Sequence, residues 1–411
     1  MSKSPSPRRT PLVVACFVAL FIVSRIASAM PVILTQTSSQ VGNLERTEWL
    51  VQVGPSPIET FRMTRLRKAG LPDAQLRGAM LFLPSLGTNF SLYEQPDPNR
   101  GRGSATAVFF ARRNYDVYGY SPRFEGIPAG ACEAGALDCS AMAGWDIQSM
   151  VDDVSFVRDH IETLTPGANV VAGGLSLGGI LAVAVADADP ARYDGFFPWE
   201  GMLTSNDAQV LAMNAGYCAG TEAQIAAGLT FDAVGIGVFK TSAQQALVAP
   251  DGPTTIPFFP PFLTNRQAFL AGLTAPPPGP VSMPVPGYLS TAPNGAGDGL
   301  EFASEEKVIE NVLTTFSNYT PLPIIRDLSC SLAGLETAYT DNLGAFTGSI
   351  LMIGGGQGFG AFMGDQLNAF TGTADKTLLL EPSFGHVDHF FTPQHRHFVE
   401  FPILHWLQQL W

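Results

Sequence analysis

Gly174-Leu175-Ser176-Leu177-Gly178 places a serine between glycines, with a short β-branched run before it and a small, apolar stretch after it. Residues 168–173, bounded by Pro166-Gly167, read as a buried strand, and residues 177–187 read as a helix without a breaker after Gly179. A serine at a strand-to-helix turn this tight has its Oγ pushed out above the sheet, and only tiny neighbours tolerate the turn. The N–H of Leu177, at the helix start, then points where an oxyanion would form. The chemistry this serves is nucleophilic attack on an acyl carbon.

A serine needs a base and a second oxyanion donor. Of the six histidines, His386 stands out, because Ser383-Phe384-Gly385-His386-Val387-Asp388 follows the last predicted strand in a glycine-flexed turn. A hydrogen-bonded structural histidine is the alternative there. His160 falls within a predicted helix and reads as a surface residue, while His395, His397 and His405 are expected on the terminal helix. His386, His389, His395 and His397 lack the acidic or cysteine spacing of a metal site, so neither metal nor cofactor is implied. The loop Pro84-Ser85-Leu86-Gly87-Thr88-Asn89 offers the second donor, the N–H of Leu86, with Ser85 as the alternative.

The elements that must position these residues alternate along the chain. Residues 35–40 are polar and expected to be loose, and residues 49–53 and 59–66 suggest an antiparallel hairpin. Residues 79–83, 115–120, 195–199, 349–353 and 377–380 read as further strands, the first a continuous apolar run covered on both faces. Helices are expected at residues 104–113, 305–316 and 395–410. Ile147, Met150, Val151, Val154, Val157 and Ile161 fall at helical spacing just before the serine-bearing strand. The fold class is therefore α/β, a mostly parallel doubly wound sheet with helices on both faces. Its carboxyl edge would carry Ser176.

The chain of 411 residues is 46% hydrophobic and 14% charged, ample for a large core. A net charge of −13 argues against nucleic acid as a partner. Lys3, Arg8 and Arg9, the apolar run 12–23 and Ala27-Ser28-Ala29 read as a signal peptide over residues 1–29, with an uncleaved anchor as the competing reading; no later stretch is a membrane span. A secreted or periplasmic location follows. Cys16 would leave with the signal, and Cys132, Cys139, Cys218 and Cys330 are expected as disulfides, Cys132 with its local neighbour Cys139 and Cys218 with Cys330. Nothing here fixes the oligomeric state.

Taken together, the Ser176 pentapeptide, Gly385-His386-Val387-Asp388 and Pro84-Ser85-Leu86-Gly87 resemble the nucleophile elbow, histidine loop and oxyanion loop of the α/β-hydrolase superfamily. The G-H-x-D form is similar to that of many lipases and esterases. The order holds from about residue 50 to the end, which implies a hydrolase core over 45–201 and 346–411, with 202–345 inserted where this superfamily commonly carries a cap or lid. One departure stands out. The superfamily most often takes its triad acid from a G-x-x-D loop after the strand that here ends at Ile353, but this chain has Gly354-Gly355-Gly356-Gln357. Members with the acid one strand earlier point to Glu200; Asp365, beyond the glycine run, is the alternative, and Asp388 lies too near His386.

The resemblance implies a carboxylic-ester hydrolase working through an acyl-enzyme on a small-molecule ester. An acyltransferase or lyase on the same fold, or a non-catalytic binding protein, are the competing readings. Phe231, Phe239, Phe258, Phe259, Phe262 and Phe269 either line a pocket for an apolar acyl or aryl group or form the core of the insertion.

Overall fold

The structure, a computed structural model, describes residues 30–95, 105–232, 235–275, 283–285, 288–294 and 298–411. The expected signal peptide lies outside these residues, as do Ser104 and Pro276-Pro277-Pro278.

Nine strands form one mixed sheet in the order β1-β2-β3-β5-β4-β6-β7-β10-β11. The members are β1 (Val32–Val41), β2 (Leu44–Gln52), β3 (Thr60–Lys68), β4 (Ala79–Phe82), β5 (Asp116–Ser121), β6 (Val170–Leu175), β7 (Gly195–Trp199), β10 (Ser349–Gly355) and β11 (Lys376–Glu381). From β5 to β11 the neighbours run parallel. The first three strands form an antiparallel meander that joins the sheet through β3 and β5. A separate antiparallel pair, β8 (Phe231–Asp232) with β9 (Thr320–Pro321), stands outside this sheet.

Every residue of β4, β5, β6, β7 and β10 is buried, which is why these strands read as apolar runs rather than alternating ones. Alternation survives in where the side chains go. Leu81, Ala172, Phe196, Ile350 and Met352 enter one core, while Met80, Phe82, Val171, Phe197, Leu351 and Ile353 enter another on the opposite face.

Twelve helices are found among the described residues: α1 (Ser91–Glu94), α2 (Thr106–Ala111), α3 (Ile147–Leu164), α4 (Leu177–Ala188), α5 (Ala208–Ala226), α6 (Gly235–Val248), α7 (Asn265–Thr274), α8 (Glu305–Thr315), α9 (Leu322–Leu332), α10 (Met363–Ala369), α11 (Asp388–Phe391) and α12 (Phe401–Leu410). Helix α3 starts where the Asp146 carboxylate accepts the Ser149 N–H at 2.8 Å, and it buries the expected stripe from Ile147 to Ile161. Helix α4 is buried from Leu177 to Asp187, which its run of Ala and Gly permits.

Three expectations need correction. Residues 35–40 are not loose: they belong to β1, an edge strand whose polar side chains face solvent and whose order comes from its ladder with β2. His160 is half-buried, packed edge-on against Trp49 with ring centroids 4.9 Å apart, and not a surface residue. The terminal helix is broken into a π-turn, Arg396–Glu400, and α12, so of its three expected histidines only His405 rides an α-helix.

Among the described residues, the chain from β7 to β10 adds no strand to the main sheet. There α5 packs on α9, and α6 packs on both α7 and α8. The cysteines pair as expected, Cys132 with Cys139 and Cys218 with Cys330, the second joining α5 to α9 across 112 residues of chain. No described helix is long and apolar enough to cross a membrane. Loop entropy makes the longer bridge the stronger brace, about 5 kcal/mol against about 2.5 kcal/mol for the local one. Replacing Cys218 and Cys330 by alanine is therefore expected to lower the melting temperature, read by circular dichroism, more than the same change at Cys132 and Cys139. An equal or smaller drop would contradict this.

Candidate active site

Ser176 stands between the end of β6 and the first turn of α4 with φ 59° and ψ −119°, a conformation that side chains with a Cβ rarely hold and that costs about 1–3 kcal/mol. Neighbouring backbone forces it there. A Cβ at Gly174 or at Gly178 would collide with the Leu83 carbonyl oxygen, and one at Gly201 would lie 2.6 Å from the Ser176 carbonyl oxygen. The Ser176 N–H donates to Trp199 O at 2.8 Å, and the Ser176 carbonyl accepts the Ile180 N–H at 3.0 Å. Tyr93, which the sequence did not single out, ties β4 to β6 beneath the serine. Its hydroxyl donates to Leu83 O at 2.7 Å and accepts the Leu175 N–H at 2.8 Å.

As the first residue of α4, Leu177 has an N–H with no intrahelical partner. Ser85 and Leu86 open the turn after β4, closed by Thr88 N donating to Ser85 O at 3.0 Å with Gly87 at φ 71°. Ser85, Leu86, Ser176, Leu177 and His386 all line one cavity of about 360 Å³. Serine, histidine and both candidate oxyanion donors thus share a wall at the carboxyl ends of β4, β6 and β11.

Glu200 follows β7 at φ 51° and is fully buried. Its Oε2 accepts from His386 Nδ1 at 3.0 Å and from the Phe359 N–H at 2.9 Å, and its Oε1 accepts from the Gly355 N–H. Burial pushes the carboxyl above its ordinary value, and the hydrogen bond from His386 is the largest effect pulling it back. A Cβ at Gly358 would strike Glu200 Oε2 and come within 2.9 Å of the His386 nitrogen. The glycine run where an aspartate was expected therefore supplies backbone donors and clearance to a carboxylate on the preceding strand.

Asp365 goes elsewhere. Its carboxylate accepts the Asn206 N–H at 2.7 Å, and no hydrogen bond joins it to His386 among the described residues. Asp388 is fully buried and is bound to its own loop and to residues 290–291, accepting from Gly385 N at 2.7 Å, Thr291 N at 3.0 Å and the Ser290 hydroxyl. Desolvation holds its carboxyl above the usual range. The His386 ring is packed between Tyr288, stacked at 5.3 Å, and Phe359 at 5.1 Å. Tyr288, Gly358, Ser290 and Thr291 were not legible as site residues, because their partners are distant in sequence and, Ser290 apart, they act through backbone or ring packing.

The remaining histidines stand apart. His389 is buried, and that burial pushes its imidazole down to about 3. His395 binds Thr106 Oγ1 at 3.0 Å and Glu400 Oε1 at 3.1 Å. Cys218, Glu222 and Cys330 come together as metal ligands might be spaced, but both thiols are consumed in the disulfide. Of the phenylalanines, Phe239, Phe258, Phe259 and Phe269 line the cavity, Phe231 packs edge-on against Tyr319, and Phe262 is exposed and takes neither role.

No protein-family model matches the sequence, and no curated protein matches it. Solved structures do. A candidate lipase from Sulfolobus solfataricus is similar over 92% of this chain and 99% of its own, with a TM-score of 0.63 and 16% identity. A highly thermostable carboxyl esterase from Bacillus coagulans, in complex with glycerol, is similar over 92% of this chain and 98% of its own, with a TM-score of 0.53 and 16% identity. Likeness at this level of identity is likeness of architecture. The chain has the α/β-hydrolase fold.

Proposed function

We propose that this chain is an exported serine hydrolase that cleaves carboxylic esters with an apolar acyl or aryl group through an acyl-enzyme. The observation that carries the reading is the buried Glu200–His386 pair, 3.0 Å apart, on an imidazole that lines the same cavity as Ser176. Glu200 fixes the proton on Nδ1 and leaves Nε2 as the base. His386 Nε2 takes the Ser176 proton as Oγ adds to the ester carbonyl, and the N–H groups of Leu177 and Leu86 receive the developing oxyanion. Collapse expels the alcohol, which takes the proton from His386. Water, activated by the same imidazole, then releases the acid and frees the serine.

The substrate class follows from the wall. Apart from His386 and the phenol of Tyr288, no ionisable side chain lines the cavity among the described residues, and its volume falls in the range of about 300–1,000 Å³ usual for small-molecule sites. The chain between β7 and β10, helices and loops together, supplies most of that apolar lining, which supports reading residues 202–345 as a cap over the site. Export is supported by the leader-like residues 1–29 and by the two disulfides. The serine fits acyl transfer, whereas the haloalkane and epoxide chemistries of this fold require a carboxylate in its place.

Ser176→Ala and His386→Ala are each expected to lower kcat for a p-nitrophenyl ester by at least about 1,000-fold while keeping the circular dichroism spectrum of the folded chain. His386→Ala is expected to melt earlier, because it leaves the buried Glu200 carboxylate without its partner. Full activity in either variant defeats the assignment. Glu200→Gln is expected to cost roughly 100-fold or more in kcat, and to move the acid limb of kcat/KM to lower pH, because the imidazolium loses its anionic partner. Asp365→Asn should leave both readings near wild type; the reverse pattern would make Asp365 the acid.

A further inference from the structure

Residues 288–291 belong to the region between β7 and β10, yet their hydrogen bonds go to the histidine loop. His386 N donates to Tyr288 O at 2.7 Å and Val387 N donates to Leu289 O at 2.8 Å, a short main-chain ladder directly on the histidine. Next along the strap, the Ser290 hydroxyl donates to Asp388 Oδ1, Thr291 N donates to Asp388 Oδ2 at 3.0 Å, and Thr291 Oγ1 donates to Ser383 O at 2.9 Å. Ser290 and Asp388 are both fully buried, so the bond between them is not traded with water. The other end of the strap reaches the substrate cavity. Ser290 N donates to Leu273 O at 3.1 Å, and Leu273 lines the cavity wall.

We propose that Asp388 is a positioning residue, which fastens the strap Tyr288–Thr291 to the histidine loop and so lets the cap-side chain set the His386 ring against Ser176. This rests on the reading of His386 as the base. Asp388 works by its hydrogen bonds and not as a charge partner of the imidazole: its oxygens are taken by Ser290, Thr291 and Gly385, while Nδ1 is taken by Glu200. An asparagine can keep all of these contacts. Its Oδ1 would accept the two N–H groups, and its amide would donate to the Ser290 oxygen with the bond direction reversed.

The test compares Asp388→Ala, Asp388→Asn, Ser290→Ala and Glu200→Gln in the full chain, with the wild type first labelled at Ser176 by a fluorophosphonate. Loss of the fastening lets the ring drift, and a misplacement of about 1 Å can cost on the order of 100-fold. Asp388→Ala is therefore expected to lose about 100-fold and Ser290→Ala about tenfold in kcat at nearly unchanged KM, while Asp388→Asn recovers to within about fivefold of wild type. The acid limb of kcat/KM should stay in place in Asp388→Asn and Ser290→Ala and move only in Glu200→Gln. If Asp388→Ala does not fold by circular dichroism, the Asn and Ser290 variants decide. Wild-type kcat in Ser290→Ala and Asp388→Ala overturns the strap alone, as does an Asp388→Asn variant as damaged as Glu200→Gln with a shifted limb. A wild type that neither labels at Ser176 nor hydrolyses esters overturns the functional reading, and the strap with it.

Discussion

A serine hydroxyl can stand clear of a sheet edge only if the backbone on both sides of it lies against a neighbouring strand. Here that neighbour is the Leu83 carbonyl oxygen, which leaves no room for a side chain at Gly174 or Gly178. Tyr93 holds the same carbonyl and the Leu175 N–H at once, so β4 and β6 cannot part beneath the turn. The positive φ of Ser176 is the strain left over from this crowding. Every other part of the site is placed relative to that point, including the proposed donors at Leu177 and Leu86.

The second organising interaction is electrostatic. A carboxylate in a dry interior is unfavourable unless its oxygens are satisfied, and Glu200 receives the Gly355 and Phe359 N–H groups as well as the imidazole. Its backbone also sits at positive φ, so two of the three non-glycine residues with that conformation among the described residues lie in this one site. Local strain concentrated this way needs a rigid support, and the fully buried strands β6, β7 and β10 provide it.

What the sequence made legible follows from which forces are local. The central strands announce themselves because burial on both faces demands unbroken apolar runs, and α3 because its apolar stripe repeats at helical spacing. The pentapeptide is legible because its glycines leave no space for a Cβ at the bend, and the Gly385-His386 turn because it follows the last strand. Strand β1 was hidden, since its polar residues gain order only from a partner strand. Tyr288–Thr291 was hidden for a related reason: its partners lie about a hundred residues away, and its contacts are mainly made by backbone. The aromatic residues of the insertion could not be sorted between lining and core, because helical spacing does not say which face meets a void.

The glycines after β10 also bear on how this site can change. With the carboxylate lodged at the tip of β7, the following loop has closed down around it until Gly354 and Gly360 nearly touch, and Gly355 and Gly356 press on the main chain of Phe384 and Pro382. A side chain introduced at position 358 would meet Glu200 Oε2 and the main chain of His386. Positions 200 and 358 are thus constrained together: the long carboxylate at one leaves space only for a hydrogen at the other.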